Sequence, residues 1–99
     1  MKVKKLLSDC KEEHKFWCNN GEVYNNLAEL ANGLKKINPE TFSHHVNTER
    51  NDFHNWVRDV FQDHKLAGDL KIAKNNKWMA SKVEQRLKEL KNTRNPLRQ

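Results

Sequence analysis

Apolar residues recur along this chain with the three- and four-residue spacing of helices that bury one face. The pattern predicts helices at about residues 27–37, 39–46, 49–61, 64–74 and 77–91. The third helix is expected to be the centre of the core. Its apolar positions follow the i, i+3, i+4, i+7, i+8 spacing without exception: Phe53, Trp56, Val57, Val60 and Phe61.

Side chains that favour helix N-termini stand where these helices are predicted to begin. Glu29 follows Asn26 by three residues, which predicts an Asn variant of the capping box. Within the last helix, Glu84 and Lys88 are spaced to form an i, i+4 ion pair. The predicted caps are Asn26, Asn38, Thr48 and Asp63. Asn75-Asn76 is expected to interrupt or bend the helix that Asp63 caps.

Asn20-Gly21, between short flanks that contain aromatic and β-branched residues, predicts a β-hairpin over residues 16–24. The pair favours a type I′ turn, in which both central residues have positive φ. Side chains alternate across a strand, so one of Phe16 and Trp17 is expected to face solvent.

These elements predict a mostly α-helical fold: a compact bundle of four to five short helices with a small N-terminal β-hairpin. The length fits one domain, which we expect at residues 16–91. Residues 1–15 are predicted to be a short amphipathic helix or a loose arm, and residues 92–99 a basic flexible tail.

The net charge of +6 is concentrated in the last third of the chain. Residues 1–63 carry nine Lys and Arg against ten Asp and Glu, whereas residues 64–99 carry ten against three. Such a segment is typical of a surface that binds polyanions or of a solvated helix. The candidate polyanion-binding residues are Lys74, Lys77, Lys82, Lys88 and Lys91.

No apolar run approaches the roughly 20 residues that a membrane span needs. The two adjacent leucines near the N-terminus are too few for the core of a signal peptide. We therefore expect a cytoplasmic protein that does not bind membranes, with Cys10 and Cys18 as thiols.

The middle of the chain carries a series of short motifs: F-S-H-H-V at 42–46, N-D-F-H-N-W-V at 51–57, V-F-Q-D at 60–63 and L-A at 66–67. Over residues 16–70 the chain resembles an uncharacterised family of small, mostly helical archaeal and bacterial domains. That family has no established activity, so the resemblance implies a compact helical module and no reaction. Its polar signature falls on His45, Asn51, Asp52, Trp56 and Asp63, as a shared binding site or a shared internal hydrogen-bond network.

Two groups of residues contain side chains of the types that catalyse reactions or bind metals. His45 and Asp52 are expected to contact each other across the turn between two helices, but no nucleophile stands at a recognisable spacing from them. Cys10, His14 and Cys18 are spaced by four residues, which is not a standard zinc-binding pair. Zinc would need a fourth ligand, which His44, His45 or His54 could supply. We therefore expect no catalytic residues, no metal and no cofactor.

The sequence predicts a small non-enzymatic protein-interaction module whose partner is another protein or a second copy of itself, with no small-molecule substrate. The alternative is an accessory nucleic-acid-binding protein that uses the basic C-terminal third, and a small enzyme or metal-dependent domain ranks third. Trp78 either packs on the preceding helix or forms an exposed stacking surface among neighbouring lysines.

Overall fold

The computed structural model describes the backbone of residues 3–94 and the side chains of residues 3–92. This part of the chain forms six α-helices and one two-stranded antiparallel hairpin, so the predicted mostly α-helical class is confirmed. A 3₁₀ turn, Glu12–His14, precedes the hairpin, and a π-helical turn, Val57–Phe61, continues the fourth helix. The helices are α1 Val3–Leu7, α2 Leu27–Lys36, α3 Pro39–His45, α4 Asp52–Trp56, α5 His64–Ile72 and α6 Asn76–Arg94, and the strands are β1 Phe16–Trp17 and β2 Val23–Tyr24.

The two ends of the described chain are helical. The segment predicted as a helix or an arm contains α1, which buries Val3 and Leu6 against α6 and α2. This helix adds one to the predicted four or five. Residues 92–94, predicted as the start of the tail, continue α6, and residues 95–99 lie outside the described residues.

The hairpin pairs Phe16 with Tyr24 and Trp17 with Val23, but its turn is not the predicted type I′. Of the loop residues, only Gly21 has positive φ, at 93°. The loop spans residues 19–21, because the Cys18 N–H donates to Glu22 O at 2.9 Å and the Gly21 N–H donates to Cys18 O at 3.0 Å. A three-residue loop that ends in a left-handed glycine is the next most common hairpin turn.

The predicted caps of α2 and α3 are confirmed. Asn26 Oδ1 accepts from the Glu29 N–H, and Asn38 Oδ1 accepts from the Thr41 N–H, each at 2.8 Å. The predicted capping box is displaced by one residue. The Glu29 carboxylate accepts from the Asn25 N–H at 2.7 Å instead of from Asn26.

The third predicted helix begins later than expected. Its N-cap is Asn51 rather than Thr48, since Asn47 Oδ1 accepts from the Glu49 N–H at 2.9 Å and holds residues 47–50 in a loop. The apolar stripe also has an exception: Val60 is only half-buried. It packs at the edge of the core, within the π-helical turn, whose wider winding changes the angular spacing of successive side chains.

The core is largest where α6 packs along α2. Glu84 of α6 forms an ion pair with Lys35 of α2, and this pair replaces the predicted one with Lys88. The predicted break before α6 is present at residues 73–75. The largest fully buried side chains come from the helices and the π turn: Phe53, Phe61, Leu27, Leu30, Leu34, Leu66, Leu70, Met79, Val57 and Val83.

Candidate functional site

His45, the last residue of α3, forms the predicted contact with Asp52, the first residue of α4. The buried imidazole has its Nδ1 2.9 Å from Asp52 Oδ2, and its Nε2 accepts a hydrogen bond from the Asn19 N–H at 2.9 Å. A backbone N–H can only donate, so Nε2 carries no proton and Nδ1–H donates to the carboxylate. Both ring nitrogens are therefore occupied, and neither is open to a substrate or a metal.

Aromatic rings surround this imidazole. The ring centroid of Phe16 lies 5.1 Å from that of His45, and the ring centroid of Phe53 lies 5.4 Å from it. Phe16 also stacks on Phe53 at 4.9 Å and meets Trp56 edge-on at 5.6 Å. The indole N–H of Trp56 donates to the carbonyl oxygen of His14 at 2.7 Å. The rings thus cover the imidazole, whereas the Asp52 carboxylate that it contacts stays partly exposed.

Asn51 joins the start of α4 to the end of α5. Its Oδ1 accepts from the His54 N–H at 3.0 Å, which caps α4. Its Nδ2 donates to the carbonyl oxygen of Leu70, also at 3.0 Å. Both ends of the side-chain amide thus have partners within the fold.

Asp63 joins α5 to α6 in a similar way. Its Oδ1 accepts from the Leu66 N–H at 3.1 Å, which confirms the predicted cap of α5. Its Oδ2 accepts from Arg86 Nε at 2.8 Å, and the Asp63 side chain is only 1% exposed. A buried carboxylate needs such a partner, because an unpaired charge is costly to remove from water.

The five signature residues therefore bond to other parts of the domain rather than converging on an open site. Each of these side chains has a hydrogen-bond partner in a different element or loop: His45, Asn51, Asp52, Trp56 and Asp63. Of the two roles that the resemblance left open, this geometry favours the internal hydrogen-bond network.

The two thiols lie in the N-terminal part of the domain. Cys10 is half-buried and Cys18 is buried, and both are free. Burial raises the pKa of the Cys10 thiol, so less of it is in the nucleophilic thiolate form than in an exposed cysteine. No three His, Cys, Asp or Glu side chains within the described ranges are grouped so that they could hold a metal ion.

A cleft of about 500 Å³ opens beside Cys10, and the sequence carried no signal for it because its walls are distant along the chain. The two carboxylates that line it already have partners: Asn26 Nδ2 donates to Asp9, and Arg58 Nε donates to Asp59, each at 2.7 Å. Both carboxylates of the cleft are therefore already bonded to side chains of the same domain. The rest of the lining is Lys5, Lys11, His14, Val60, Phe61 and Gln62.

The five candidate lysines of the basic third do not form one surface. Lys77, Lys88 and Lys91 are exposed and lie within about 60° of one another around α6, at 100° per residue. Lys82 is half-buried on another side of the helix, and Lys74 lies before its start. The stripe is therefore formed by three lysines.

Three large apolar side chains in the described part of the chain are exposed. Trp17 is 70% exposed and the neighbouring Phe16 is buried, as strand alternation predicted. Trp78 is 38% exposed, which is intermediate between a side chain packed on the preceding helix and a fully exposed stacking surface. Ile72 is 59% exposed and was not predicted as a surface residue. Its position off the buried face of α5, which contains Leu70, is the signal that could have indicated this exposure.

Comparison of the chain with protein-family models, with curated proteins and with solved structures gives no match in any of the three. The resemblance to the uncharacterised family of small helical domains stays a prediction.

Proposed function

We propose that this protein is a small non-enzymatic interaction module that binds another protein, or a second copy of itself, through Trp17. The observation that carries the proposal is the 70% exposure of this indole on the outer side of the hairpin. Tryptophan offers a large apolar area with few rotatable bonds, and it is enriched among the residues that dominate binding energy at protein interfaces.

The hairpin presents Trp17 on a firmly held support. On the inner side, Phe16 stacks on Phe53, and the Asn19 N–H donates to buried His45. At the other strand, Tyr24 is buried against Gly33 of α2. Binding through a surface that is already ordered loses less conformational entropy, which supports recognition by a short hairpin.

The same proposal assigns no reaction to the protein. It is supported by the internal hydrogen bonds of the signature residues and by the raised pKa of Cys10, which leave no activated nucleophile among these groups.

Two free thiols support a cytoplasmic location. None of the helices between residues 3 and 94 combines the length and apolar character that crossing a bilayer requires.

The test is recovery of bound protein from nuclease-treated cell extract, together with sedimentation over a range of protein concentrations to detect self-association. Trp17→Ser is expected to lose the partner, and Trp17→Phe to retain most of the binding because it keeps an aromatic ring. Thermal unfolding verifies that both variants are folded. Equal recovery of the same partners by wild type and Trp17→Ser would contradict the proposal.

A second candidate function is nucleic-acid binding, favoured by the exposed stripe of Lys77, Lys88 and Lys91 on α6. Lysines along one helix face can neutralise successive phosphates and release counterions. The charge excess of residues 64–99 is in accord with this candidate. It ranks second because nucleic-acid binding by this stripe does not explain why Trp17 and Ile72 are exposed.

A further inference from the structure

The turn between α5 and α6 combines exposed apolar side chains with unbalanced positive charge. We call residues 71–78 the lysine corner. It contains Ile72, which is 59% exposed, and Trp78, which is 38% exposed. Its three lysines, Lys71, Lys74 and Lys77, are all exposed. These five side chains lie within eight consecutive residues that cover the end of α5, the turn and the start of α6.

The charge of the lysine corner is not compensated locally. No acidic residue occurs between Asp69 and Glu84 in the sequence. Within residues 3–92, ion pairs engage other cations such as Lys35 and Lys65, but none engages the three corner lysines. A partner with negative charge would therefore gain attraction there without first displacing an internal carboxylate.

The backbone of the corner is fixed by side-chain amides. Asn75 Oδ1 accepts from the Trp78 N–H at 2.7 Å, and Asn76 Nδ2 donates to the carbonyl oxygen of Leu34 in α2 at 2.8 Å. Ala73 and Met79 are buried on either side of these two residues. The backbone that carries the exposed side chains is thus held in place before a partner arrives, which lowers the entropic cost of docking.

We propose that the lysine corner is a second docking surface, independent of Trp17, and that its occupant is an acidic protein segment carrying an apolar side chain. Acidic side chains complement the three lysines, and the apolar side chain covers Ile72 and the exposed part of Trp78. This inference goes beyond the proposed function, because it names a different surface and the chemical class of its partner.

The observations favour a protein over the two other polyanionic partners. Ile72 is the most exposed apolar side chain of the corner, and an aliphatic group can neither stack on a base nor pair with a phosphate. An anionic membrane requires side chains that insert into the apolar boundary of the bilayer. Trp78 is largely covered by its own domain, and Ile72 alone would insert only one aliphatic side chain.

The probe is a fluorescently labelled synthetic peptide of Glu and Asp residues with one central Leu, and fluorescence anisotropy measures its Kd. Ile72→Ser and Lys74→Glu are each expected to weaken binding by about tenfold, the equivalent of about 1.4 kcal/mol. The matched control Lys88→Glu makes the same charge change on the exposed side of α6 and is expected to change Kd by less than about twofold. Trp17→Ser should leave binding intact, which separates this surface from the hairpin.

Replacing the Leu of the peptide by Ser is expected to remove the effect of Ile72→Ser while keeping part of the effect of Lys74→Glu. Thermal unfolding of each variant verifies the fold. Absence of peptide binding, or equal weakening by Lys74→Glu and Lys88→Glu, would overturn the proposal. So would tighter binding of a single-stranded oligonucleotide, or of phosphatidylserine vesicles, that Ile72→Ser does not affect.

Discussion

The ring of Tyr24 occupies the space that a Cβ atom at Gly33 would fill. Gly33 lies within α2, where glycine lowers helix stability because it gives the unfolded chain more conformational freedom. The missing side chain allows the buried tyrosine of β2 to approach the helix backbone. The packing of the Tyr24 ring on Gly33 joins the hairpin to α2, and the Tyr24 hydroxyl donates to Glu22 within the hairpin at 3.2 Å.

We expect Gly33→Ala to destabilise the domain by about 1–3 kcal/mol, the usual cost of overpacking. The gain in helix propensity of about 1 kcal/mol is smaller than this cost. Gly68→Ala is the matched control, since Gly68 is exposed in α5 and a Cβ there meets nothing within 4 Å. It should raise the free energy of unfolding by up to about 1 kcal/mol. Urea denaturation measures both variants, and stabilisation by Gly33→Ala would contradict the packing.

Asp52→Ala is expected to lower the free energy of unfolding by about 0.5–2 kcal/mol, because it removes the acceptor of the His45 Nδ1–H and a carboxylate in the first turn of α4. A double-mutant cycle with His45→Ala should show a coupling of about 0.5–3 kcal/mol between the two residues. Unchanged stability of Asp52→Ala, with loss of partner binding, would instead indicate a functional surface.

Two tryptophans with opposite environments provide a paired test. Trp56→Ala should cost about 3–5 kcal/mol as a large core truncation, since the indole is buried among Phe16 and Phe61 and donates to His14. Trp17→Ala should change stability by less than about 0.5 kcal/mol, as is usual for surface residues. A loss below about 1 kcal/mol for Trp56→Ala would contradict its place in the core.

Reversal of Lys77, Lys88 and Lys91 to Glu should leave the domain folded, because all three side chains are exposed. We expect a partner held by Trp17 to stay bound to this variant and to show a shallow dependence on salt. Binding to DNA is measured in parallel, where each phosphate contact contributes a slope of about −0.9 on a log–log salt plot. Tight DNA binding with a steep slope, lost in the triple variant, would establish the second candidate function.

Burial raises the pKa of the Cys10 thiol, so less thiolate is present at a given pH than in a free cysteine. In a Cys18→Ser background, alkylation of Cys10 should therefore reach its half-maximal rate at a higher pH than alkylation of a cysteine peptide. Mass spectrometry of iodoacetamide-treated samples follows the rate. If Cys10 reacted faster than the peptide cysteine at neutral pH, its thiol would be activated. The adjoining cleft would then be a candidate active site.

Local signals were sufficient to predict much of the helical framework. Asn26, Asn38 and Asp63 were identified as caps because a short polar side chain before an apolar repeat satisfies free N–H groups, and each does so in the structure. Thr48 was wrongly preferred to Asn51. The loop at residues 47–50 depends on hydrogen bonds from Asn47 that the apolar pattern does not reveal.

Non-local relationships limited the prediction of the candidate site. The His45–Asp52 contact was predictable because the two residues flank one turn, whereas the bond from Asn19 to His45 joins positions 26 residues apart. The exposure of Ile72 likewise depends on where α5 ends. The sequence could therefore name the members of the network but not show that their polar atoms were already engaged.

The two residue pairs of the hairpin are too few for it to persist alone in water. Its supports, His45 and Phe53, lie well downstream in the chain. During synthesis on the ribosome, the hairpin segment therefore emerges before the residues that hold it, and Trp17 gains its ordered setting only after α4 has been made. A nascent chain that stops before residue 53 should lack the ordered hairpin surface. Binding through Trp17 would therefore begin only after the middle of the domain has been translated and folded.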